Sequence, residues 1–245
     1  MSDTITMALG FLVVAALYAA VGQAGASGYL ALMALTGTAA GTMKVTALAL
    51  NTVVAGIGTW VFLRAGRLSW RSIWPFAALG FPFSMLGGAI HLPAEVYFPA
   101  VGAVLILSAL QMARRALGRA DPRSPPRHPP FPAALLTGAG IGLVSGMTGT
   151  GGGVFLAPVI LMMGWASARD TASITAVYNL VNSAAALLGA WAMWDRLPAA
   201  MPVWLAAVVL GGTLGAAIGA RHLPERALRL LLAGLLFVSG LRMLA

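Results

Sequence analysis

Long runs of apolar residues dominate the chain, and its polar positions gather in short stretches between them. Most runs are nearly free of charge and about as long as a helix that crosses a ~30 Å hydrocarbon core. We predict ten helical segments, five in each half of the chain. They span 5–21, 28–36, 45–63, 70–90 and 95–112, and then 132–145, 153–164, 172–194, 201–220 and 226–243.

The two halves are separated by "ARRALGRADPRSPPRHPPFP", a stretch rich in proline and arginine. Proline interrupts helices, and arginine is costly in lipid, so this stretch is predicted to be a linker. The predicted organisation is a first membrane repeat over 1–113, a cytoplasmic linker over 114–131 and a second membrane repeat over 132–245.

Landmarks in the first half recur in the second, which predicts an internal repeat. The "HLP" at 91–93 recurs at 222–224, a shift of 131 residues that also places Asn51 on Asn182. Near the start of each half the shift becomes 125 residues and places Lys44 on Arg169. We interpret the difference as a loop insertion between two copies of one five-segment unit.

An odd number of crossings in each unit places the second copy upside down in the membrane. Cytoplasmic loops are rich in Lys and Arg, and the loops at 64–71, 114–131 and 221–229 carry most of the arginines. All three loops fall on one side in an inverted repeat, and the N-terminus falls outside. Inverted repeats are typical of secondary transporters, with the site near the midplane between the copies.

Composition supports this assignment and excludes other classes. The chain is 60% hydrophobic and 9% charged, with a mean hydropathy of +0.89, whereas soluble domains carry roughly 25% charged residues. It has no cysteine and only three scattered histidines, so we predict no metal site and no cofactor. The net charge of +9 is explained by Lys and Arg in cytoplasmic loops. We predict that the protein lies in a lipid bilayer and does not bind nucleic acid.

Two glycine-rich stretches precede the two short segments: "GQAGASG" at 22–28 and "GMTGTGGG" at 146–153. Unwound backbone inside a membrane is tolerated where it is buried in protein or lines a cavity. A helix N-terminus presents free N–H groups and favours negative charge. We predict half-helix N-termini at Gly28 and Gly153 that face a central anion; the alternative is that glycine only permits close helix packing.

The candidate substrate-binding residues are the polar and glycine positions around these two breaks and in the long third segments. Gln23 is a further possible amide donor. The candidates are Gly25, Ser27, Gly28, Lys44, Asn51, Thr148, Gly149, Thr150, Gly151, Gly152, Gly153, Arg169, Thr175, Asn179 and Asn182.

Two groups of candidates have a second interpretation. Lys44 and Arg169 either lie at the mouths of an anion path or extend their charged ends to the interface. Asn51, Asn179 and Asn182 either contact ligand or form helix–helix hydrogen bonds, because buried amides must be paired.

The acidic residues fall at predicted helix ends and loops, so no mid-membrane carboxylate for ion coupling is apparent. No nucleophile with a neighbouring base is found, and we predict that the protein is not an enzyme.

The stretch "GMTGTGGGVFLAPVILMMG", followed by a Thr/Ser/Asn-rich helix and "GGTLGAAIGARHLP", resembles the TauE/SafE sulfite exporter family. The likeness covers nearly the whole chain. It implies an all-α, multi-pass carrier in the cell (inner) membrane that exports a small anionic substrate, sulfite or an organosulfonate. The alternative is an importer or exporter of another small anion on the same fold.

Overall fold

The structure is a computed structural model that describes residues 2–20, 23–66, 70–117, 129–219 and 225–244. Only the backbone is described for residues 2, 3, 115, 168, 169, 218, 219, 225, 227–229 and 231. Every regular element in these ranges is helical. The elements are α1 (Ser2–Ala20), α2 (Ala26–Leu35), α3 (Ala40–Arg64), α4 (Trp70–Ala89), α5 (Ala94–Leu117), α6 (Phe131–Thr148), α7 (Gly153–Met162), α8 (Ala168–Gly189), a short 3₁₀ helix (Trp191–Arg196), α9 (Met201–Gly219) and α10 (Glu225–Leu244).

Four of the described helices are long and apolar enough to cross a membrane: α3, α5, α6 and α8. Further apolar helices are shorter. Many large apolar side chains are exposed, among them Leu136, Trp191 and Leu210. Exposed apolar surface on this scale is suited to lipid rather than water. The predicted all-α polytopic membrane fold is therefore confirmed.

The helices pack in pairs that join the two halves of the chain. α1 packs against α9, α4 against α6 and α8, and α5 against α10, while α3 and α8 meet in the centre. If each half is one copy of a five-helix unit, α1 and α6 are the first helices of the two copies, and α4 and α9 are the fourth. The pairs α1–α9 and α6–α4 are then equivalent. This pairing agrees with the repeat, whose inverted orientation stays a prediction.

Glycines produce the closest helix contacts, as small residues do in membrane proteins. A Cβ at Gly88 would collide with the backbone of Ala186 on α8, and one at Gly142 would lie 2.6 Å from the carbonyl oxygen of Gly80. On α9, a Cβ at Gly215 would collide with the backbone of Ala16. The glycines at these positions therefore let neighbouring helices approach each other closely.

Some helix ends differ from the predicted bounds. α5 continues to Leu117, because Ala, Arg and Leu favour helix and the first proline after them is Pro122. α8 ends at Gly189 rather than at 194, and a 3₁₀ helix follows it. Most of the predicted linker, residues 118–128, lies outside the described residues.

The α4–α6 contact predicts a stability difference between two glycines of α6. A Cβ at Gly146 would collide with Ser84 O and lie 3.0 Å from Gly88 N, whereas one at Gly140 would meet no atom within 4 Å. We expect Gly146→Ala to lower the free energy of unfolding by about 1–3 kcal/mol through overpacking. Gly140→Ala should not lower it, because alanine favours helix. Thermal unfolding midpoints of both variants in one detergent test this, and equal midpoints would contradict the packing.

Candidate functional site

Both short helices begin directly after a glycine in the left-handed region. Gly25 precedes α2 with φ 95°, and Gly152 precedes α7 with φ 84°. Side chains are disfavoured in this region, which explains the glycines. Each helix has 10 residues and is about 15 Å long, half of a membrane core. The two glycine-rich stretches therefore start half-helices, as predicted.

The start of α2 differs from the prediction. The helix begins at Ala26 and not at Gly28, which lies inside its first turn. A Cβ at Gly28 would lie 2.6 Å from side-chain atoms of Tyr18 and Val14. Gly28 therefore allows α2 to pack against α1, and the break itself depends on Gly25.

Two asparagines connect the N-termini of the half-helices. Asn51 on α3 accepts a hydrogen bond from the backbone N–H of Ala26, at 2.9 Å to its Oδ1. Asn179 on α8 accepts one from the backbone N–H of Gly153, at 3.5 Å. Asn51 Nδ2 in turn donates to Asn179 Oδ1 at 3.1 Å and to Ser183 Oγ at 2.7 Å. One continuous chain of hydrogen bonds thus runs from α2 to α7 through the two halves.

Gly151 lies directly over this asparagine pair. Its φ is 75°, and a Cβ there would collide with Asn179 Oδ1 and Asn51 Nδ2 and lie 2.6 Å from Ser183 Oγ. A Cβ at Gly152 would lie 3.1 Å from both Ser145 Oγ and Tyr178 Cε1. The glycines of 149–153 therefore serve two purposes: they turn the backbone, and they let it approach the buried amides.

Two threonines of the second break form a relay of hydroxyl groups. Thr148 donates to Val144 O at 2.8 Å, and the Oγ1 atoms of Thr148 and Thr150 are 3.0 Å apart. Since each hydroxyl has one hydrogen, Thr150 donates to Thr148 in this arrangement. Thr150 can donate to a ligand if Thr148 turns its hydrogen from Val144 toward Thr150.

The first half-helix is held at both ends. Asn51 caps its N-terminus, and Arg242 of α10 donates to Leu35 O at its C-terminal end, at 2.6 Å. Ser27 forms a 2.9 Å hydrogen bond with the hydroxyl of Tyr18. These contacts fix the direction in which the N–H groups of the first turn of α2 point.

A cavity of about 230 Å³ lies where the two breaks meet. Its polar lining comes from Gln23, Thr150, Thr175 and Asn179, and no charged side chain of the described residues lines it. Asn179 Nδ2 makes no hydrogen bond to a described residue, so it is available to a ligand. The remaining lining residues are Ala19, Ala20, Ala24, Gly25, Ala26, Val54, Ala55, Ile57, Gly58, Val61, Phe62, Gly153, Val154, Ala176, Gly212 and Ala216.

Of the fifteen predicted site residues, five line the cavity and six adjoin it. Gly25, Thr150, Gly153, Thr175 and Asn179 line the cavity. Those that adjoin it through the asparagine pair or the breaks are Ser27, Asn51, Thr148, Gly149, Gly151 and Gly152. The side chain of Arg169 lies outside the described residues. Substrate binding by the cavity residues stays a prediction.

Lys44 does not fit either of its predicted roles. Its side chain is 2% exposed, so it does not extend to the interface. Its Nζ donates to the carbonyl oxygens of Gly87, Gly88 and Ile90 at 3.0, 2.8 and 2.9 Å. All three ammonium hydrogens are used at the C-terminal end of α4, where a cation is favourable. Lys44 therefore stabilises a helix end and does not line the cavity.

Asn182 also lies away from the cavity. It is fully buried beside Gly80 of α4, and neither of its amide atoms has a hydrogen-bond partner within the described chain. The repeat shift of 131 residues pairs it with Asn51. Asn51 and Asn179, however, both cap a half-helix, so by role these two asparagines correspond to each other. They are 128 residues apart in the sequence. The helix starts of α3 and α8 differ by the same amount.

Sequence reasoning missed Ser183 and the cavity wall formed by α3 and α9. Ser183 follows Asn182 directly, so a polar run on a buried helix was the available signal. The wall residues are apolar or small, for example Val54, Gly212 and Ala216, and by sequence they resemble ordinary membrane helix residues.

A bundle of membrane helices with two half-helices meeting at an internal cavity defines a membrane transporter. The comparisons agree. The family described as "Sulfite exporter TauE/SafE" matches residues 7–243, and the chain belongs to that family. It is 57% identical, over 248 residues that cover 99% of both chains, to the "Probable membrane transporter protein y4hK" of Sinorhizobium fredii (strain NBRC 101917 / NGR234). No solved structure matches the chain. The protein is thus a transporter and not an enzyme.

The capping roles predict opposite effects at two asparagines one turn apart on α8. Asn179→Leu should lower the free energy of unfolding by about 1–3 kcal/mol, because Asn51 Nδ2 and the Gly153 N–H lose their acceptor. Asn182→Leu should be neutral or stabilising, because it removes a buried amide that has no partner and keeps a similar shape. Unfolding midpoints of the two variants in one detergent measure the difference. The reverse order of stabilities would contradict the assignment.

Proposed function

We propose that the protein exports a small sulfur-containing anion, sulfite or an organosulfonate, and binds it in the cavity between the half-helix N-termini. The observation that carries this proposal is the convergence of α2 and α7 on one uncharged cavity. The family match supports the substrate class, and the relative's description as a membrane transporter supports the activity.

The cavity suits an anion although no cationic side chain of the described residues lines it. The first N–H groups of a helix have no partner inside it, and the N-terminus carries a partial positive charge of roughly half a unit. Two such termini are directed here by Asn51 and Asn179. The Nδ2 of Asn179 and the hydroxyl of Thr150 can add hydrogen bonds. Partial charges of this kind bind an anion without the tight ion pair that would slow its release.

The position of the cavity supports a state that is open to the cytoplasm. The cavity adjoins Ala20 at the end of α1 and Phe62 near the end of α3. The arginine-rich loop after α3 is predicted to be cytoplasmic. On the other side of the asparagine pair, the first half of α3 is buried, including Met43, Val45 and Leu48 at 0% exposure. We therefore assign the open end to the cytoplasm and the closed end to the outside.

Export of an anion does not require a coupled ion. A potential that is negative inside supplies ~2.3 kcal/mol per charge per 100 mV for an outgoing anion. The acidic side chains within the described residues, Glu95, Asp170 and Asp195, are exposed and do not line the cavity. These positions favour potential-driven export over coupling through a membrane carboxylate.

The second candidate function is transport of another small anion, or uptake instead of export, on the same fold. The observation that favours it is the lining itself, because amide, hydroxyl and backbone donors also bind carboxylates.

Sulfite efflux from proteoliposomes tests the proposal with a matched pair of variants. Thr150→Val removes the hydroxyl at the cavity and keeps the side-chain shape. Thr213→Val makes the same change on an exposed face of α9, where the hydroxyl bonds only within its helix. We expect inside-negative potential to accelerate efflux, and Thr150→Val to slow it about tenfold or more, as loss of one hydrogen bond to a charged group does. Thr213→Val should transport like the parent protein.

The negative results of the efflux experiment separate an error in the site from an error in the substrate. Efflux that is insensitive to Thr150→Val would contradict the site. Absence of sulfite flux, together with flux of a carboxylate, would favour the second candidate function.

A further inference from the structure

The cavity extends beyond the asparagine pair, where several of its lining residues are small. Gly58 of α3 is the clearest case: a Cβ added to it would meet no atom within 4 Å. Ala19 and Ala20 at the end of α1 and Ala216 of α9 line the same space. Without the small side chains on these three helices, this part of the cavity would be filled.

The two ends of the cavity differ in chemistry. The hydrogen-bonding side chains Gln23, Thr150 and Asn179 belong to the breaks and to the facing turn of α8. The wall formed by α3 is apolar: Val54, Gly58 and Val61 lie four and three residues apart on one helix face. We call this wall, with Phe62, the α3 wall. The α3 wall offers no hydrogen-bond donor. An oxyanion that lost water molecules there would therefore gain no hydrogen bonds in return.

We propose that Gly58 is a specificity-determining residue, and that the cavity selects an anion with a short apolar substituent over a bare oxyanion. This inference rests on the proposed function. The charged head would lie at Asn179 and the half-helix N-termini, and the substituent would lie along the α3 wall at Gly58. Each buried methylene raises affinity about fourfold, the equivalent of ~0.8 kcal/mol. Gly58 sets the length and width of the substituent that fits.

The experiment measures the affinity of the purified full-length protein for sulfite and for linear alkanesulfonates of increasing length, from methane- to butanesulfonate. Binding is followed by titration calorimetry in detergent. For the parent protein we expect affinity to rise about fourfold with each added methylene. Gly58→Leu should abolish most of this rise and leave the affinity for methanesulfonate within about twofold. Gly58→Ala should give an intermediate result.

Two glycines serve as matched controls. A Cβ at Gly56, on the same helix, would lie 3.9 Å from Leu180 Cδ1, and Gly56 does not line the cavity. Gly140 of α6 is exposed, and a Cβ there meets no atom within 4 Å. Gly56→Ala and Gly140→Leu should therefore keep the full dependence on chain length.

Three results would overturn the inference: affinity of the parent protein that does not depend on chain length, an equal loss for all anions in Gly58→Leu, or a chain-length dependence that Gly58→Leu leaves intact. If Gly58→Leu does not fold, the parent series and Gly58→Ala decide between the outcomes.

Failure of the proposed function is a separate result. If neither sulfite nor any sulfonate binds, the sulfur-anion function is wrong, and the same series is repeated with linear carboxylates. If carboxylate affinity rises with chain length and Gly58→Leu removes that rise, the result would support the role of Gly58. If carboxylate affinity does not depend on chain length, the result would overturn that role.

Discussion

The hydrogen bond between Asn51 and Asn179 joins the two halves of the protein at the point where both half-helices begin. The Oδ1 of each asparagine accepts a hydrogen bond from the first backbone N–H of a half-helix, and Asn51 Nδ2 donates to Asn179 Oδ1. Because both side chains are buried, an amide atom of the pair that lost its partner would cost about 1–3 kcal/mol. The positions of α2 and α7, the glycine turns that lead into them and the cavity between them all depend on this link.

Full charges and partial charges lie at opposite kinds of helix end. Arg242 bonds to the C-terminal end of α2, and Lys44 bonds to the C-terminal end of α4, so both cations satisfy carbonyl groups that a helix leaves free. The half-helix N-termini, in contrast, have neutral amides and hydroxyls as their polar neighbours. These two full charges thus stabilise the frame, and partial charges form the cavity. A carrier benefits from this division, because a bound anion must also be able to leave.

Much of the fold could be predicted from local pattern. Apolar runs gave the helices to within a few residues, and the glycine clusters located the half-helices because few other residues tolerate a φ near 90°. The partner of Asn51 could not be found in this way: the sequence shift points to Asn182, while the cap is made by Asn179, and only the approach of α3 to α8 decides between them. Lys44 was misjudged for a related reason. Its acceptors at Gly87, Gly88 and Ile90 are distant in sequence, so no pattern around position 44 reveals that its charge is already used.

The most direct test of an anion site at the joined N-termini is anomalous diffraction from crystals soaked in selenite, the selenium analogue of sulfite. We expect one selenium peak inside the cavity, within hydrogen-bonding reach of Asn179 Nδ2 and the Thr150 hydroxyl, between the first turns of α2 and α7. A peak beside Lys44 or Arg169 would contradict an anion site in the cavity, and so would crystals that show no peak at selenite concentrations that saturate transport.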